Sequence, residues 1–224
     1  MFYFDDLLGN KVLRSDFIEN AFFTLRNPLP EIWQNEIFTK FKADRVITPN
    51  QTHSDNVQIA NERQEYPETD GLILNKAKTL MYLRFADCTP LVFHDKKNNI
   101  YAISHAGWRG TASMIGVRTV LKMSEEFGSK AENIAVVIGP AISKCCYEVG
   151  EEVKEKLLAT VKNKNELFND NFVDLKKINA RQLNEIGVQN IDICPYCTSC
   201  SNDLFYSYRK ENGTKNRHFA VIIT

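Results

Sequence analysis

Long apolar runs are missing from this 224-residue chain. No stretch approaches the roughly 20 consecutive apolar residues that cross a bilayer, so no membrane association is expected. Net charge is missing as well: 28 basic side chains balance 28 acidic ones, leaving no global field to gather phosphate polymers, and a dedicated nucleic-acid-binding role is disfavoured. Glycine and proline are sparse, at 10 and 7 residues, and no repeat, low-complexity tract or Pro/Gly/Ser-rich linker interrupts the sequence. Residues 1–224 therefore read as a single domain. The segment Met1-Phe2-Tyr3-Phe4-Asp5-Asp6 places acids where a secretory signal has Lys or Arg, and the expected compartment is the cytoplasm.

What remains is the composition of a folded globule, 43% hydrophobic and 25% charged. In a reducing compartment its six cysteines read as thiols, metal ligands or nucleophiles rather than as a disulfide framework.

Short apolar runs bounded by polar residues predict strands at Leu80–Ala86, Pro90–His94, Asn99–Ser104, Ile134–Ile138, Asn190–Ile193, Leu204–Tyr208 and His218–Ile223. Met114, Ile115, Val117, Val120, Leu121 and Met123 recur at helical spacing, predicting a helix from Gly110 to Phe127 that stops at Gly128. Two more helices are expected, at Gly150–Val161 and Leu175–Ile186. The polar stretch Asn50–Asp70 reads as a surface loop around a functional insert. The sum is a mixed α/β protein with a large sheet content.

Histidine is scarce, with only four in the chain. His105, in His105-Ala106-Gly107-Trp108-Arg109-Gly110, lies where a strand runs out, and so does Cys88 in Ala86-Asp87-Cys88-Thr89-Pro90. Active-site groups collect at such strand ends because the sheet holds them rigidly over a crevice. Together with His53 they would offer zinc two imidazoles and a thiolate, with a fourth position open. The alternative is a solvated His53 and a Cys88 that is simply a small buried hydrophobe. The glycines after His105, the helix start and Arg109 fit an oxyanion such as phosphate, or else a tight strand-to-helix turn with a solvated Arg. Cys194-Pro195-Tyr196-Cys197 resembles a redox motif, but it sits too near the end of the sequence for the fold that usually carries it. Cys194, Cys197 and Cys200 make three ligands without an obvious fourth. Cys145 and Cys146, being adjacent, are not expected to share one metal.

Six segments then occur in a familiar order: His53-Ser54-Asp55-Asn56-Val57, Asp70-Gly71-Leu72-Ile73, Ala86-Asp87-Cys88-Thr89-Pro90, the His105–Gly110 segment, Ile138-Gly139-Pro140-Ala141-Ile142 with Cys146-Tyr147-Glu148-Val149-Gly150, and Phe205-Tyr206-Ser207-Tyr208-Arg209. Over residues 20–224 the chain resembles the laccase-domain family, described as purine nucleoside phosphorylases and earlier labelled polyphenol oxidase. It departs from the family pattern in having no Asn-Leu-x-x-x-Gly-Asp segment before His53, Ala141 in place of a cysteine, and Thr214-Lys215-Asn216-Arg217 in place of Thr-Gly-Arg.

The resemblance implies a single-domain, four-layer α/β/β/α sandwich with mixed sheets and a zinc ion on His53, Cys88 and His105. It implies phosphorolysis of adenosine, inosine or guanosine, cleavage of methylthioadenosine and deamination of adenosine. In this reading Cys88, His105 and Asp87 are catalytic, Asp87 as an orienter of the ligand beside it or a proton carrier, or else Asp87 is a structural cap. Arg109, Arg26 and Cys146 would bind substrate, with Arg109 taking the phosphate. The partners are a purine nucleoside and phosphate, and the assembly a monomer or small homo-oligomer. The rival readings are a metal-free hydrolase with Cys88 as nucleophile, and a copper-dependent phenol oxidase. Copper is disfavoured because multicopper oxidation needs more histidines than four.

Overall fold

The computed structural model describes residues 1–26, 36–37, 39–61 and 65–224. Fourteen strands are named in it. Strands β1 (Phe2–Leu7), β2 (Asn10–Ser15), β3 (Ala21–Thr24) and β4 (Arg45–Ile47) precede β5 (Val57–Ile59), β6 (Gly71–Leu74), β7 (Thr79–Phe85), β8 (Thr89–Asp95) and β9 (Ile100–Ala106). After them come β10 (Ile134–Ile138), the small ribbon β11 (Phe168–Asn169) and β12 (Phe172–Val173), then β13 (Asn190–Ile193) and β14 (His218–Ile223). One six-stranded sheet has the order β1-β2-β3-β14-β7-β4, the other β13-β10-β8-β9-β6-β5. Both are mixed, since β4 on β7, β5 on β6 and β13 on β10 are parallel while the other pairs in these sheets are antiparallel.

The two sheets face each other across an apolar interior of Leu13, Phe23, Leu83 and Phe85 from one and Leu72, Val92, Ile103 and Val137 from the other. Helices α1 (Trp108–Ala112), α2 (Ile115–Phe127), α3 (Glu151–Leu158) and α4 (Leu175–Glu185) follow β9 and β10. Ile115, Val120 and Met123 of α2 and Leu183 of α4 cover the outer face of the second sheet. Helical Ile37 and Phe41 pack on the outer face of the first. The layers are therefore α/β/β/α. Strand β9, covered on both faces, is buried along its whole length and so reads as a continuous apolar run, whereas β1 at a sheet edge has only Leu7 buried.

Several sequence expectations shift. The helix predicted from Gly110 to Phe127 is two helices, because Met114 adopts a left-handed conformation (φ 58°) between them; Gly128 ends the second with φ 66° as expected. Leu204–Tyr208 is not a strand. The amides of Leu204 and Phe205 donate to the Ser201 carbonyl and that of Ser207 to Glu211, so this segment is a chain of turns. The Asn50–Asp70 stretch is more than a surface loop, for it contains β5 and buries Tyr66, Thr69 and Asp70 completely; its residues 62–64 lie outside the described part. Among the described residues no helix is long and apolar enough to cross a membrane.

Candidate functional site

Sheet register brings the distant motifs together. Gly71 pairs with Ser104 and Thr89 with Ala106, so strand order β8-β9-β6 sets Asp70 against His105 and Cys88 against Gly107 at one end of the second sheet. The His105 amide donates to the Asp70 carbonyl at 2.8 Å. Cys88 lies in the hand-over Ala86–Cys88, where the chain leaves β7 of one sheet and enters β8 of the other. Asp87, at φ 84°, takes the left-handed turn that this crossing needs, a conformation Asp tolerates better than most side chains.

His53, Cys88 and His105 each offer one donor atom, and the three atoms lie within 4.8 Å of one another. The imidazole rings of His53 and His105 meet edge to face with centroids 4.8 Å apart. His53 is exposed at the rim, Cys88 half-buried and His105 buried.

Asp70 holds two of these donors at once. Its fully buried carboxylate sits 2.7 Å from His105 Nδ1, and it accepts the amides of Thr52, His53 and Ser54 at 3.0, 3.1 and 2.7 Å. The Ser54 hydroxyl adds a bond of 2.8 Å. A single carboxylate thus fixes the turn that presents His53 at φ 62° and the orientation of the His105 ring, whose other edge faces Cys88. The Asp70-Gly71 segment marks the family in the sequence, but nothing there reveals that its carboxylate reaches both histidines.

The electrostatics follow from this packing. Burial pushes His105 down, but the Cys88 sulfur and Asp70 more than offset it and hold the imidazole up at about 9. Burial pushes the Cys88 thiol up, and His105 with His53 draws it down to about 6. Burial likewise raises Asp70, while the bonds to His105 and Ser54 bring it down to about 2. Near neutrality the arrangement favours a thiolate, an imidazolium and a carboxylate in contact.

Gly107 leaves the space above this trio open. A Cβ there would lie 3.0 Å from Cys88 Sγ and 3.2 Å from His53 Cδ2. Gly107→Ala is expected to leave the fold intact but to push the two donors apart. Activity should fall towards the roughly 100-fold that a misplacement of about 1 Å can cost. Metal content and Tm measured side by side check this, since a drop in Tm without loss of metal would contradict it.

The donors open into a cavity of about 980 Å³, the upper end of the range for small-molecule sites. Tyr147, Tyr206, Tyr208 and Trp108 supply aromatic walls, and Arg84, Arg209, Lys215 and Arg217 supply cations. Arg209 is fixed in place: both terminal nitrogens donate to the Glu148 carbonyl at 3.1 Å, and its own amide donates to Asp87 at 2.7 Å.

A profile of the family described as multi-copper polyphenol oxidoreductase laccase matches residues 33–224. The chain belongs to this laccase-domain family. A purine nucleoside phosphorylase of Clostridium acetobutylicum is 38% identical over 175 residues, spanning 77% of this chain and 74% of that protein. An adenosine deaminase from an unknown prokaryotic organism is 32% identical over 197 residues, spanning 80% and 75%. The crystal structure of YlmD from Geobacillus stearothermophilus aligns with a TM-score of 0.89 at 26% identity over 99% of this chain and 98% of that one.

In this laccase-domain chain several residues expected at the site stand elsewhere. Arg109 is exposed and stacks on the Trp108 ring at 4.4 Å, and it is not among the side chains lining the cavity. The short helix α1 turns it outward while Trp108 faces in. Arg26 is tied to Glu211 at 3.1 Å and to the Asn202 carbonyl at 2.6 Å and lies over Tyr206 at 4.6 Å, so it buttresses that ring from behind. Cys146 belongs to a separate cluster of thiols. Asp87 lines the cavity, but its carboxylate is engaged by the Thr198 hydroxyl at 2.6 Å and the Arg209 amide at 2.7 Å. Those bonds make it an anchor for the pocket wall. Of the cations that do reach the cavity, Arg84 comes from β7, while Arg209 and the loosened Lys215–Arg217 segment come from the loops before β14, where no motif points to a phosphate role.

Proposed function

We propose that this chain is a zinc-dependent purine nucleoside phosphorylase acting on adenosine, inosine or guanosine, with methylthioadenosine phosphorylase and adenosine deaminase side activities. The observation that carries this reading is one cavity lined by a His2Cys donor set together with aromatic rings and cations. Aromatic rings suit a purine, the cations suit phosphate, and the ribose lies between them, where the bond to be broken is.

The donor set fits zinc, which takes nitrogen and sulfur ligands and, in catalytic sites, three protein ligands with one position open. Gly107 keeps the space beside those donors clear, and Asp70 supplies the carboxylate partner that metal-bound histidines commonly have. When bound, zinc supplies a Lewis acid for a substrate oxygen or for water.

The protein's own part is alignment and charge. Phosphorolysis of an N-glycosidic bond builds positive charge on the ribose and negative charge on the departing purine, and phosphate must attack the anomeric carbon from the opposite side. Arg209 is pre-oriented by Glu148 and Asp87, and its remaining N–H donors can hold phosphate without reorganisation. Lys215 and Arg217 add charge from the adjoining loop. Tyr147 beneath the Arg209 guanidinium, at 5.3 Å, completes a stacked wall.

Incubating metal-replete protein with adenosine and inosine, with and without phosphate, and separating the products by chromatography tests the reading. Phosphate-dependent release of free base is the expected result; inosine from adenosine alone would move the main activity to deamination. Arg209→Ala should raise KM for phosphate roughly 10- to 100-fold, the scale of a charge-assisted bond of about 1.5–3 kcal/mol. KM for the nucleoside should change far less. Equal changes in both would remove Arg209 from the phosphate subsite.

One observation favours a second reading. Cys88, His105 and Asp70 line up as nucleophile, base and orienter, with the thiol drawn down to about 6, as a metal-free cysteine hydrolase requires. That reading gives His53 no task. Inactivation by alkylation together with indifference to chelators would favour it. A multicopper oxidase is the weaker fit. Of the chain's four histidines, His94 is stacked on Tyr101 at 4.1 Å and His218 is buried against Phe205, so only two share the cavity.

A further inference from the structure

A second cluster of donors lies outside the cavity. The sulfurs of Cys145, Cys146, Cys197 and Cys200 are all within 4.8 Å of one another. Cys200 touches two of them almost equally, Cys145 at 3.5 Å and Cys146 at 3.4 Å, and Cys197 accepts the Ser143 amide at 3.4 Å. Adjacent cysteines, which the sequence suggested were unable to share a site, both reach it from the turn formed where the amides of Cys146 and Tyr147 donate to the Ser143 carbonyl. Cys194, the first member of the Cys-x2-Cys-x2-Cys run, is left out and is buried elsewhere in the core between the sheets.

A single disulfide accounts poorly for this geometry. It would engage two sulfurs and strand the others, whereas here one sulfur is shared by two partners. Four thiolates at the zinc–sulfur distance of about 2.3 Å form a tetrahedron with edges of about 3.8 Å. The observed separations, from 3.4 Å to under 4.8 Å, bracket that edge. Four protein ligands leave no open position, which is the pattern of a structural site, and soft thiolates select zinc over hard cations. Cys145 and Cys200 are exposed, so an ion has a path in.

We propose that Cys145, Cys146, Cys197 and Cys200 form a second, structural zinc site that staples the 143–147 turn to the 197–201 turn. The two turns already run side by side, with Cys197 bridged to Ala141 and the Thr198 amide bonded to the Ala141 carbonyl at 3.1 Å. The ammonium of Lys176, buried beside them, donates to the carbonyls of Cys194 and Tyr196 at 2.7 and 2.8 Å and brings positive charge close to the anionic cluster. The staple bears on the cavity. Tyr147 follows Cys146 into its wall, Glu148 holds Arg209, and Thr198 follows Cys197 and holds Asp87. The proposal does not depend on which reaction the cavity performs.

The test uses the full chain purified under reducing conditions. Cys88→Ala removes a donor from the cavity site only, so the zinc that variant retains reports on the thiol cluster. The expected result is one zinc per chain in Cys88→Ala, four thiols shielded from a thiol reagent until the metal is removed, and a thiolate-to-cobalt charge-transfer band on cobalt substitution. Cys145→Ser and Cys200→Ser, at exposed positions that need not disturb the core, should each lose that zinc, lose the band and lower Tm. Three results would overturn the proposal: no zinc in Cys88→Ala, full zinc retention in Cys200→Ser, or a disulfide among the four cysteines in reducing buffer.

Discussion

Cys88→Ala is expected to take phosphate-dependent release of free base from adenosine or inosine down to background, a fall of roughly 1,000-fold or more. The magnitude follows from several kcal/mol of charge stabilisation lost with a metal ligand, at about 1.4 kcal/mol for each tenfold in rate. The substitution is small, and Cys88 is only half-buried at the cavity wall, so the fold should persist. Circular dichroism and Tm on the same sample check that point. Chelator-treated wild type separates the two readings of the cavity: loss of turnover restored by zinc supports the metal, and undiminished turnover supports Cys88 as a nucleophile. Normal phosphorolysis by the alanine variant would contradict both.

Asp70→Asn carries the second large effect although Asp70 touches no substrate. Every partner of its carboxylate is a donor: three amides, the Ser54 hydroxyl and His105 Nδ1. An amide NH2 in that position would face another donor, an unsatisfied buried group that costs about 1–3 kcal/mol. At this chain length that lowers Tm by about 2–4 °C for each kcal/mol. Zinc affinity and activity should fall roughly 10- to 100-fold, the usual cost of losing a carboxylate behind a metal-bound histidine. The pH dependence of the metal-free protein supplies a readout that simple destabilisation would not move. His105 is raised from 6.5 to about 9, so its contribution to stability is complete below 6.5 and is lost as pH rises through 9. Cys88 is lowered from 9.0 to about 6, so its contribution is complete above 9.0 and is lost as pH falls through 6. Removing the Asp70 charge should bring the alkaline loss to lower pH while leaving the acid limb near its place. An unchanged alkaline limb would mean that Asp70 does not hold His105.

Strands β7 to β10 were legible because each is largely buried and carries a short apolar run, although β7 also presents the exposed Arg84 to the cavity. The hairpin β1–β2 was not. It lies at a sheet edge, half of β1 is exposed, and its two-residue turn is Leu8-Gly9 with φ 56° and 74°, where only the glycine advertises a left-handed conformation. The Leu204–Tyr208 run misled for the opposite reason: Phe205 is wholly buried, yet its backbone bonds within turns instead of a ladder. An arginine beside a motif looks like an anion site, yet in the folded chain Arg109 stacks on Trp108 and Arg26 pairs with Glu211.

By itself the sequence determined the donor types and the elements that carry them: His53, Cys88 and His105 at strand ends or loops, within a mixed α/β chain rich in sheet. Residue chemistry and local apolar periodicity are properties of neighbours along the chain, so they can be read there. Only the tertiary structure decided that Asp70 serves both histidines, that Arg209 and not Arg109 reaches the cavity, and that four cysteines from two distant turns meet at one point. Those facts depend on strand order, register and the direction each side chain takes from its turn, which are set by packing between segments far apart in sequence.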